Sequence, residues 1–254
     1  MAPLCVIGAG RIGRMFADLA RAQGHELRLL ARGQAASGAA PILVCTRNDD
    51  LDAVLTQVPA DRQPDLVFVQ NGAVWPWLHA HGLEACTRGV LYVAVQRVGD
   101  PPVPGAASVF FGPHAATVVE LMQGGGLSAR VARDAVDMAT QEGTKLAWIC
   151  ALGPLAGATG LTVGEVCTQH KGELAAICGE IAQVLALEPG VVLDPAELTR
   201  RVVDYTQSIP HFRSGLKEWR WRNGWLVAAA RRHGVDMPVH DAWVEQAGGA
   251  PAAT

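Results

Sequence analysis

Three glycines near the start of the chain have the spacing of a turn that binds phosphate groups. They follow the apolar run Leu4 to Ile7, which is typical of a buried strand, and they precede a helical pattern from Arg14 to Gln23. The first glycine permits a tight turn, the second lets the backbone approach a pyrophosphate, and the third lets the helix pack on the strand. We therefore predict a dinucleotide at the N-terminus of this helix. The predicted binding turn consists of Gly8, Gly10, Arg11, Ile12 and Gly13.

The next predicted strand indicates which dinucleotide is bound. Leu27 to Leu30 lies about twenty residues after the glycine turn, where such folds hold the adenosine ribose. A carboxylate there would bind the ribose hydroxyls of NAD, but the residues that follow are Ala31, Arg32 and Gly33. The guanidinium of Arg32 fits the 2′-phosphate of NADP, so we predict NADPH as the cofactor. The alternative is a solvated arginine beside a structural glycine turn.

Lys145 is the main candidate for acid–base chemistry. It stands at the head of an apolar stretch that begins with Leu146, Ala147 and Trp148. Burial would lower the pKa of this lysine, so that its ammonium group gives a proton to a carbonyl oxygen as hydride reaches the carbon. The alternative is a lysine at a helix edge whose ammonium group reaches solvent.

The composition restricts the class of protein. The chain has 254 residues, of which 50% are hydrophobic and 18% are charged, and its formal net charge is −3. This length fits two modest domains. Because the charge provides no strong field for nucleic acid or a membrane surface, we expect a small-molecule substrate as the partner and leave a homodimer open.

Cysteine and histidine patterns exclude some kinds of site. The six cysteines are scattered without a C-x-x-C motif, and the N-terminus lacks the basic and apolar regions of a secretory signal. We therefore expect reduced thiols and a cytoplasmic location. The histidines show no ligand motif, so no metal site is predicted.

The order of the predicted elements indicates the fold. Apolar runs alternate with helical or loop segments in the first half of the chain, and from about Ala132 the pattern is helical. We predict an α/β fold with a Rossmann-type N-terminal domain, residues 1–130, followed by an all-α C-terminal domain, residues 131–254, with a helix break at Gly153-Pro154. The predicted strands after the second are Pro41 to Cys45, Leu66 to Val69, Leu91 to Val95 and Ser108 to Phe111.

The order of several segments resembles the ketopantoate reductase family. The segments are the glycine turn, Arg32, Gln70-Asn71-Gly72, Lys145-Leu146-Ala147, Pro154-Leu155, Gly164-Glu165-Val166, Glu218, Asn223-Gly224, His233-Gly234 and Pro238. The resemblance covers most of the chain. It implies an NADPH-binding Rossmann domain, a helical domain, and reduction of a 2-oxo acid in the cleft between them.

The resemblance also implies roles for particular residues. Lys145 corresponds to the lysine that assists proton transfer to the substrate oxygen, and Glu218 corresponds to the acid that faces the same cleft. Asn71 corresponds to the asparagine near nicotinamide and substrate, and Gln70 beside it is assigned to the cofactor. Arg47 stands where the family often has a lysine near the cofactor phosphates, and its alternative is an ordinary surface arginine.

The residues that the resemblance assigns to substrate binding match the family only in part. Ser208 is a counterpart of the serine that binds the substrate carboxylate, and Ser214 competes for that role. Ile149 and Gly153 stand where the family usually has asparagines that bind the substrate. Because these polar contacts are lost, we expect a substrate other than ketopantoate, with a C=O or C=N bond to reduce. The alternative function is an NADPH-binding sensor on the same fold.

The segment from His211 to Trp225 interleaves three tryptophans with cations. Such a composition invites a nucleic-acid interpretation, because arginine and tryptophan stack on bases. An amphipathic helix with Trp221 and Trp225 on one face explains it more simply. We therefore predict a helix here and no nucleic-acid partner.

Overall fold

The computed structural model describes residues 4–30, 34, 36 and 41–249. It divides into two compact units between Asp134 and Ala135, which is four residues after the boundary predicted from the sequence. The first unit is a parallel-dominated sheet with helices and the second is helical, so the predicted fold class is confirmed.

The first unit is built on a seven-stranded sheet. The strands of the unit are β1 Leu4–Ile7, β2 Leu27–Leu30, β3 Ile42–Val44, β4 Leu66–Phe68, β5 Thr87–Val90, β6 Val93–Ala94, β7 Val103–Pro104, β8 Ser108–Phe111 and β9 Ala129–Val131. The sheet has the order β2-β1-β3-β4-β5-β8-β9, and β6 and β7 form a separate antiparallel pair. Every neighbouring pair in the sheet is parallel except β5 and β8.

Helices cover this sheet because its strands are apolar on both faces. They are α1 Arg11–Ala22, α2 Leu51–Leu55, α3 Trp75–Ala80 and α4 Ala115–Gly124. Leu4 and Cys5 point to opposite faces of β1 and both are buried, as is Phe16 of α1. Strands buried on both faces are typical of parallel sheets that carry helices on each side. The α1 helix begins at Arg11, three residues before the predicted start.

The predicted strand at Leu91 to Val95 is confirmed only at Val93–Ala94, which pairs with β7 outside the main sheet, and the neighbouring strand of the main sheet lies earlier, at Thr87–Val90. Gly89 at its centre weakens the sequence signal for a strand. In the structure a Cβ atom at Gly89 would lie 2.3 Å from Cε1 of Phe110, so the ring of β8 occupies the space of a side chain. The short strand Ala129–Val131 was not predicted, since only Ala129 of its three residues is buried.

The second unit is assembled around one long helix. Its helices are α5 Ala135–Thr159, α6 Val163–Gln169, α7 Lys171–Leu185, α8 Pro195–Ser208, α9 Asn223–His233 and α10 Pro238–Gln246. Helices α6, α7, α8 and α10 all pack against α5. Residues 143–156 of α5 are buried without interruption. A helix that is apolar all round belongs at the centre of its domain.

The predicted helix break at Gly153-Pro154 is wrong, because α5 continues through Pro154 to Thr159. A proline inside a helix has no N–H group, so the carbonyl four residues earlier loses its hydrogen bond. That carbonyl belongs to Cys150, and it accepts a hydrogen bond of 2.9 Å from Nδ2 of Asn223. The same amide nitrogen lies 3.1 Å from Nε2 of the fully buried His240. Asn223 therefore ties α9 to α5 and to α10.

The predicted helix through the tryptophan-rich segment is also interrupted. Trp219–Trp221 forms a short 3₁₀ turn, and Arg222 has φ −126° and ψ −110°, outside helical values. Trp221 and Trp225 consequently do not share one continuous helix.

No single helix among the described residues is long and apolar enough to span a membrane. Helices α5 and α6 together pass that test by length and composition, but they are bent by 87° at the break between them.

Replacing Asn223 by alanine is expected to lower the free energy of unfolding by about 1–3 kcal/mol, because the buried carbonyl of Cys150 would lose the hydrogen bond that replaces the missing N–H of Pro154. Denaturant unfolding followed by circular dichroism measures the change. Gln246→Ala at the exposed end of α10 is the control, with an expected effect below about 0.5 kcal/mol. Equal stability of Asn223→Ala and the unmodified chain would contradict this role.

Candidate functional site

The predicted cofactor residues of the N-terminal domain follow neighbouring strands at one edge of the sheet. Ile7, Val44 and Phe68 end β1, β3 and β4, and they are in register across the parallel pairs. The glycine turn, Arg47 and Asn71 follow these three strands along the chain. In open α/β sheets, ligands bind at the carboxyl edge of the strands.

The glycine turn has the geometry that a bound pyrophosphate requires. Gly8 has φ +104°, and a Cβ atom there would lie 2.8 Å from the backbone of Cys45, so the turn and β3 are in close contact. A Cβ atom at Gly13 would lie 1.8 Å from the carbonyl oxygen of Gly8, which brings α1 against the turn. Gly10 has no described atom within 4 Å of a Cβ position. Gly10 is also the N-cap residue of α1 and has no side chain to cap the helix, so the first N–H groups of α1 are available to a ligand.

A cavity of about 570 Å³ opens beside this turn. Its lining includes Gly8 and Gly10 of the turn, together with Thr46, Arg47 and Gln57. Oγ1 of Thr46 and Oε1 of Gln57 are buried, and neither has a hydrogen-bond partner among the described residues. Buried polar atoms normally have partners. The turn, the volume and the unpaired oxygens therefore fit a dinucleotide cofactor.

The other predicted cofactor residues are at or near this edge. Arg47 is exposed, and Arg11 is exposed with its guanidinium 3.3 Å from the carbonyl of Val95. Ile12 is half-buried in the first turn of α1. Arg32 lies outside the described residues.

Gln70 and Asn71 are held in place by the strand ends. The side chain of Gln70 donates a hydrogen bond of 2.9 Å to the carbonyl of Val44 and accepts one of 3.1 Å from the N–H group of Val69. Its amide thus joins β4 to β3. Asn48, which is buried, donates a hydrogen bond of 2.9 Å to the carbonyl of Asn71. The side chain of Asn71 is exposed.

In the helical domain, Lys145 is buried within α5 with only 8% of its surface exposed. Its Nζ lies 3.0 Å from the hydroxyl oxygen of Tyr205 on α8. The same nitrogen is 4.3 Å from the ring centre of Tyr205 and 5.0 Å from that of Trp148. Aromatic ring faces attract cations, so both rings favour the ammonium form of the lysine.

The pKa of Lys145 is lowered to about 7, first by burial and then by the charge of Arg222. Removing an ammonium group from water disfavours its charged form, and a neighbouring guanidinium adds to that effect. The pKa therefore lies near neutral pH, where a general acid can both hold and release a proton. The buried position excludes the alternative of a lysine whose ammonium group reaches solvent.

Glu218 forms an ion pair with Arg222 through a short contact between Oε2 and Nη2. Glu218 thus acts on the cation that lowers the pKa of Lys145. Among the described residues it is the only one other than glycine with φ between 0° and 180°, at +46°. A residue with a side chain is strained in this region by about 1–3 kcal/mol, and such strain is concentrated at functional sites.

The predicted substrate residues are less clearly placed. Ser208 ends α8, and its hydroxyl donates a hydrogen bond of 2.7 Å to the carbonyl of Tyr205. Ser214 is half-buried in the loop that follows. Ile149 is buried in α5. A Cβ atom at Gly153 would lie 3.3 Å from the carbonyl of Gly215, so little space exists for an asparagine there.

Sequence reasoning missed Tyr205, Arg222, Asn223 and Asn48 as individual contributors to these sites. A spacing signal existed for Arg222, because oppositely charged residues four positions apart often pair. No comparable signal marked Tyr205, since its contact with Lys145 spans 60 residues of sequence.

Residues 137–249 match the family model described as ketopantoate reductase PanE/ApbA, C terminal. This match confirms the resemblance found in the sequence. A comparison with curated proteins gives no match.

Several solved structures share the fold over nearly the whole chain. A 2-dehydropantoate 2-reductase from Methylococcus capsulatus is 18% identical, with 96% of this chain and 94% of that chain covered and a TM-score of 0.73. A D-mandelate dehydrogenase with NADH and anilino(oxo)acetate is 15% identical, with 97% of each chain covered and a TM-score of 0.72. A dimeric ketopantoate reductase from Staphylococcus aureus is 16% identical, with 97% of each chain covered and a TM-score of 0.68. At these identities the matches establish a shared fold.

Two alanine substitutions in the glycine turn should separate folding from ligand binding. Gly13→Ala should lower the melting temperature and abolish dinucleotide binding, because its methyl group overlaps the Gly8 carbonyl. Gly10→Ala should leave the melting temperature unchanged, since its methyl group meets no described atom. It should nevertheless weaken dinucleotide binding by about tenfold or more, because the methyl group occupies the face that a pyrophosphate approaches. Fluorescence titration with NADPH and NADH measures binding, and unchanged binding by Gly10→Ala would contradict the assignment.

Proposed function

We propose that this chain, whose C-terminal domain is of the ketopantoate reductase type, is an NADPH-dependent reductase that converts the C=O group of a 2-oxo acid to an alcohol. The observation that carries the proposal is the buried Lys145 with a pKa of about 7. It lies in the domain that matches the family, on a chain that also has the glycine turn of a dinucleotide site.

The N-terminal domain holds the cofactor in this proposal. The N–H groups at the start of α1 bind the pyrophosphate, with the glycines giving close approach. Thr46 and Gln57, whose side-chain oxygens have no partner in the part of the chain that the structure describes, accept hydrogen bonds from hydroxyl or amino groups of the cofactor. Arg32 and Arg47 supply positive charge for the 2′-phosphate of NADPH. When bound, the reduced nicotinamide supplies the hydride.

Lys145 supplies the proton. Its ammonium group donates from Nζ to the substrate oxygen as the carbonyl carbon is reduced, and it becomes a neutral amine. Because its pKa is close to 7, both protonation states are accessible at neutral pH. Reduction needs the ammonium form, so the rate of reduction should fall as pH rises through this pKa.

The charges in the helical domain favour an anionic substrate. Lys145 and Arg222 are two cations close enough to interact, and Glu218 pairs with Arg222. A net positive charge in a region of low dielectric attracts a carboxylate. This supports a 2-oxo acid rather than an uncharged ketone.

The substitutions at Ile149 and Gly153 support a substrate other than ketopantoate. An isoleucine and a glycine offer no side-chain hydrogen bonds, so a hydroxylated substrate would lose contacts there. The D-mandelate dehydrogenase among the similar structures was solved with anilino(oxo)acetate. The aromatic anilino group of this ligand supports a larger and more apolar substrate for this chain.

NADPH oxidation with a panel of 2-oxo acids tests the proposal. The panel includes ketopantoate, phenylpyruvate, phenylglyoxylate and 2-oxoisovalerate, with the corresponding imines as a second set. Turnover of any 2-oxo acid supports the reductase function, and preference for the apolar members supports the substrate class. NADPH binding without turnover of any member would contradict the reductase and favour the sensor.

Replacing Lys145 by methionine is expected to lower kcat by roughly 10²- to 10⁴-fold, the typical contribution of general acid catalysis. Methionine has a similar length and no charge, so the melting temperature should be kept or raised, and NADPH binding should be unchanged. Lys217→Met, at an exposed lysine of the same domain, is the matched control. A Lys145→Met variant with normal kcat would rule out this lysine as the proton donor.

Replacing Arg32 by glutamate is expected to weaken NADPH binding by about tenfold or more and to spare NADH, because a carboxylate repels the 2′-phosphate and binds ribose hydroxyls. Isothermal titration calorimetry with each cofactor measures the two affinities. Unchanged NADPH affinity would show that Arg32 does not read the 2′-phosphate, without affecting the reductase assignment.

A further inference from the structure

The hydroxyl of Tyr205 is hydrogen-bonded to Lys145, the proton donor of the proposed reaction. Its hydroxyl oxygen is 3.0 Å from Nζ of Lys145, and the ring centre is 4.3 Å from the same nitrogen. Both side chains are buried, with 9% of Tyr205 and 8% of Lys145 exposed. The two residues come from α8 and α5, which pack against each other.

We propose that Tyr205 is a positioning residue, which holds the Lys145 amine in one place both before and after it gives up its proton. This inference rests on the proposed function for the role of Lys145. A tyrosine hydroxyl is both a hydrogen-bond donor and an acceptor, whereas an ammonium group only donates. One hydroxyl can therefore serve both protonation states of the lysine.

The proton transfer breaks one N–H bond of Lys145 and forms one O–H bond on the substrate. In the ammonium state, an N–H group of Lys145 donates to the oxygen of Tyr205. A second N–H bond breaks as its proton moves to the substrate oxygen, where a new O–H bond forms. The lone pair left on the neutral amine then accepts a hydrogen bond from the Tyr205 hydroxyl, whose hydrogen only rotates. Tyr205 neither gains nor loses a proton.

The pKa of Tyr205 is consistent with this role. Burial raises it to about 12, so the phenol stays protonated throughout the range in which Lys145 titrates. A hydrogen bond to a charged group is about twice as strong as one between neutral groups. The hydroxyl therefore stabilises the ammonium form more than the amine form, and its removal should lower the pKa of Lys145.

Other groups around Lys145 also influence its pKa. Arg222 is the charged group that lowers the pKa of Lys145, and Glu218 pairs with Arg222. Trp148 contributes a ring face, with its own N–H group donating to Thr206. Charged groups on the helices packed against α5 that have hydrogen-bond or ion-pair partners of their own are Glu165, Glu173, Glu180, Glu197, Arg200, Arg201, Asp204, His240 and Asp241.

The composition of the chain makes a direct test practicable. It contains three lysines, Lys145, Lys171 and Lys217, and two tyrosines, Tyr92 and Tyr205. NMR titration of protein labelled with ¹³C at lysine Cε and tyrosine Cζ therefore gives few signals. Lysine-to-arginine variants at the two other lysines and Tyr92→Phe assign them. The titration uses the whole chain without substrate, so its result does not depend on which substrate is reduced.

Tyr205→Phe is the decisive variant, because it keeps the ring and removes only the hydroxyl. We expect the pKa of Lys145 to fall by roughly one unit, which is the difference between a charged and a neutral hydrogen bond. The pH at which kcat falls should decrease by the same amount, and kcat at pH 7 should drop by about fivefold, because the ammonium fraction falls from about one half to about one tenth, while KM changes little. Tyr92→Phe, in the other domain, should change none of these quantities.

A second measurement needs no substitution at Tyr205. In the unmodified chain, the Cζ signal of Tyr205 should shift with the midpoint of the Lys145 titration, and Lys145→Met should abolish that step. The proposal would be overturned if a folded Tyr205→Phe variant kept the Lys145 pKa and the pH profile of kcat unchanged. It would also be overturned if the Tyr205 signal did not change as Lys145 titrates. Absence of turnover with every 2-oxo acid would instead contradict the proposed function. It would not change what the titration shows about the contact between Tyr205 and Lys145.

Discussion

The burial of one ammonium group is the constraint on which the candidate chemistry depends. Lys145 lies in a stretch of α5 that is buried without interruption, and water is therefore replaced by protein around its charge. Its charged form is stabilised by what the neighbouring elements supply, namely the hydroxyl and ring of Tyr205 and the ring of Trp148. These contacts only partly offset desolvation and the charge of Arg222, which leaves the pKa near 7 rather than near 10.

The same helix, α5, contains a proline whose missing hydrogen bond is replaced by a side chain. Pro154 removes one hydrogen bond from α5, and the side chain of Asn223 replaces it at the Cys150 carbonyl. Because Asn223 also contacts His240, one amide connects three helices. Glu218 and Arg222 lie immediately before this residue, so the strained backbone at Glu218 is followed by a firmly held position. The support for α5 and the charged groups near Lys145 thus come from one short segment.

Sequence patterns predicted the fold where side-chain chemistry and local structure agree. The glycine turn, the apolar strands β1, β3 and β4, and the change to helices after residue 134 all follow from periodicity and turn residues. The patterns failed at Pro154 and Gly89, where a partner distant in sequence overrides the local preference: an amide from Asn223 in one case and the ring of Phe110 in the other. The sequence predicts Lys145 as a candidate proton donor. It does not predict the partner Tyr205, because their contact joins residues that are distant in sequence.

The candidate cofactor site of the first domain and the surroundings of Lys145 in the second domain differ in their polar groups. In the N-terminal cavity, the buried side-chain oxygens of Thr46 and Gln57 have no hydrogen-bond partner among the described residues, which is consistent with a surface that binds a polar ligand. Around Lys145 lie the rings of Trp148 and Tyr205, and its polar neighbours include the Tyr205 hydroxyl and the charge of Arg222. Charge attracts a carboxylate from any direction, whereas hydrogen bonds select a particular hydroxyl. Under the proposed function, a site with these groups is expected to distinguish acids from uncharged molecules better than it distinguishes one apolar acid from another.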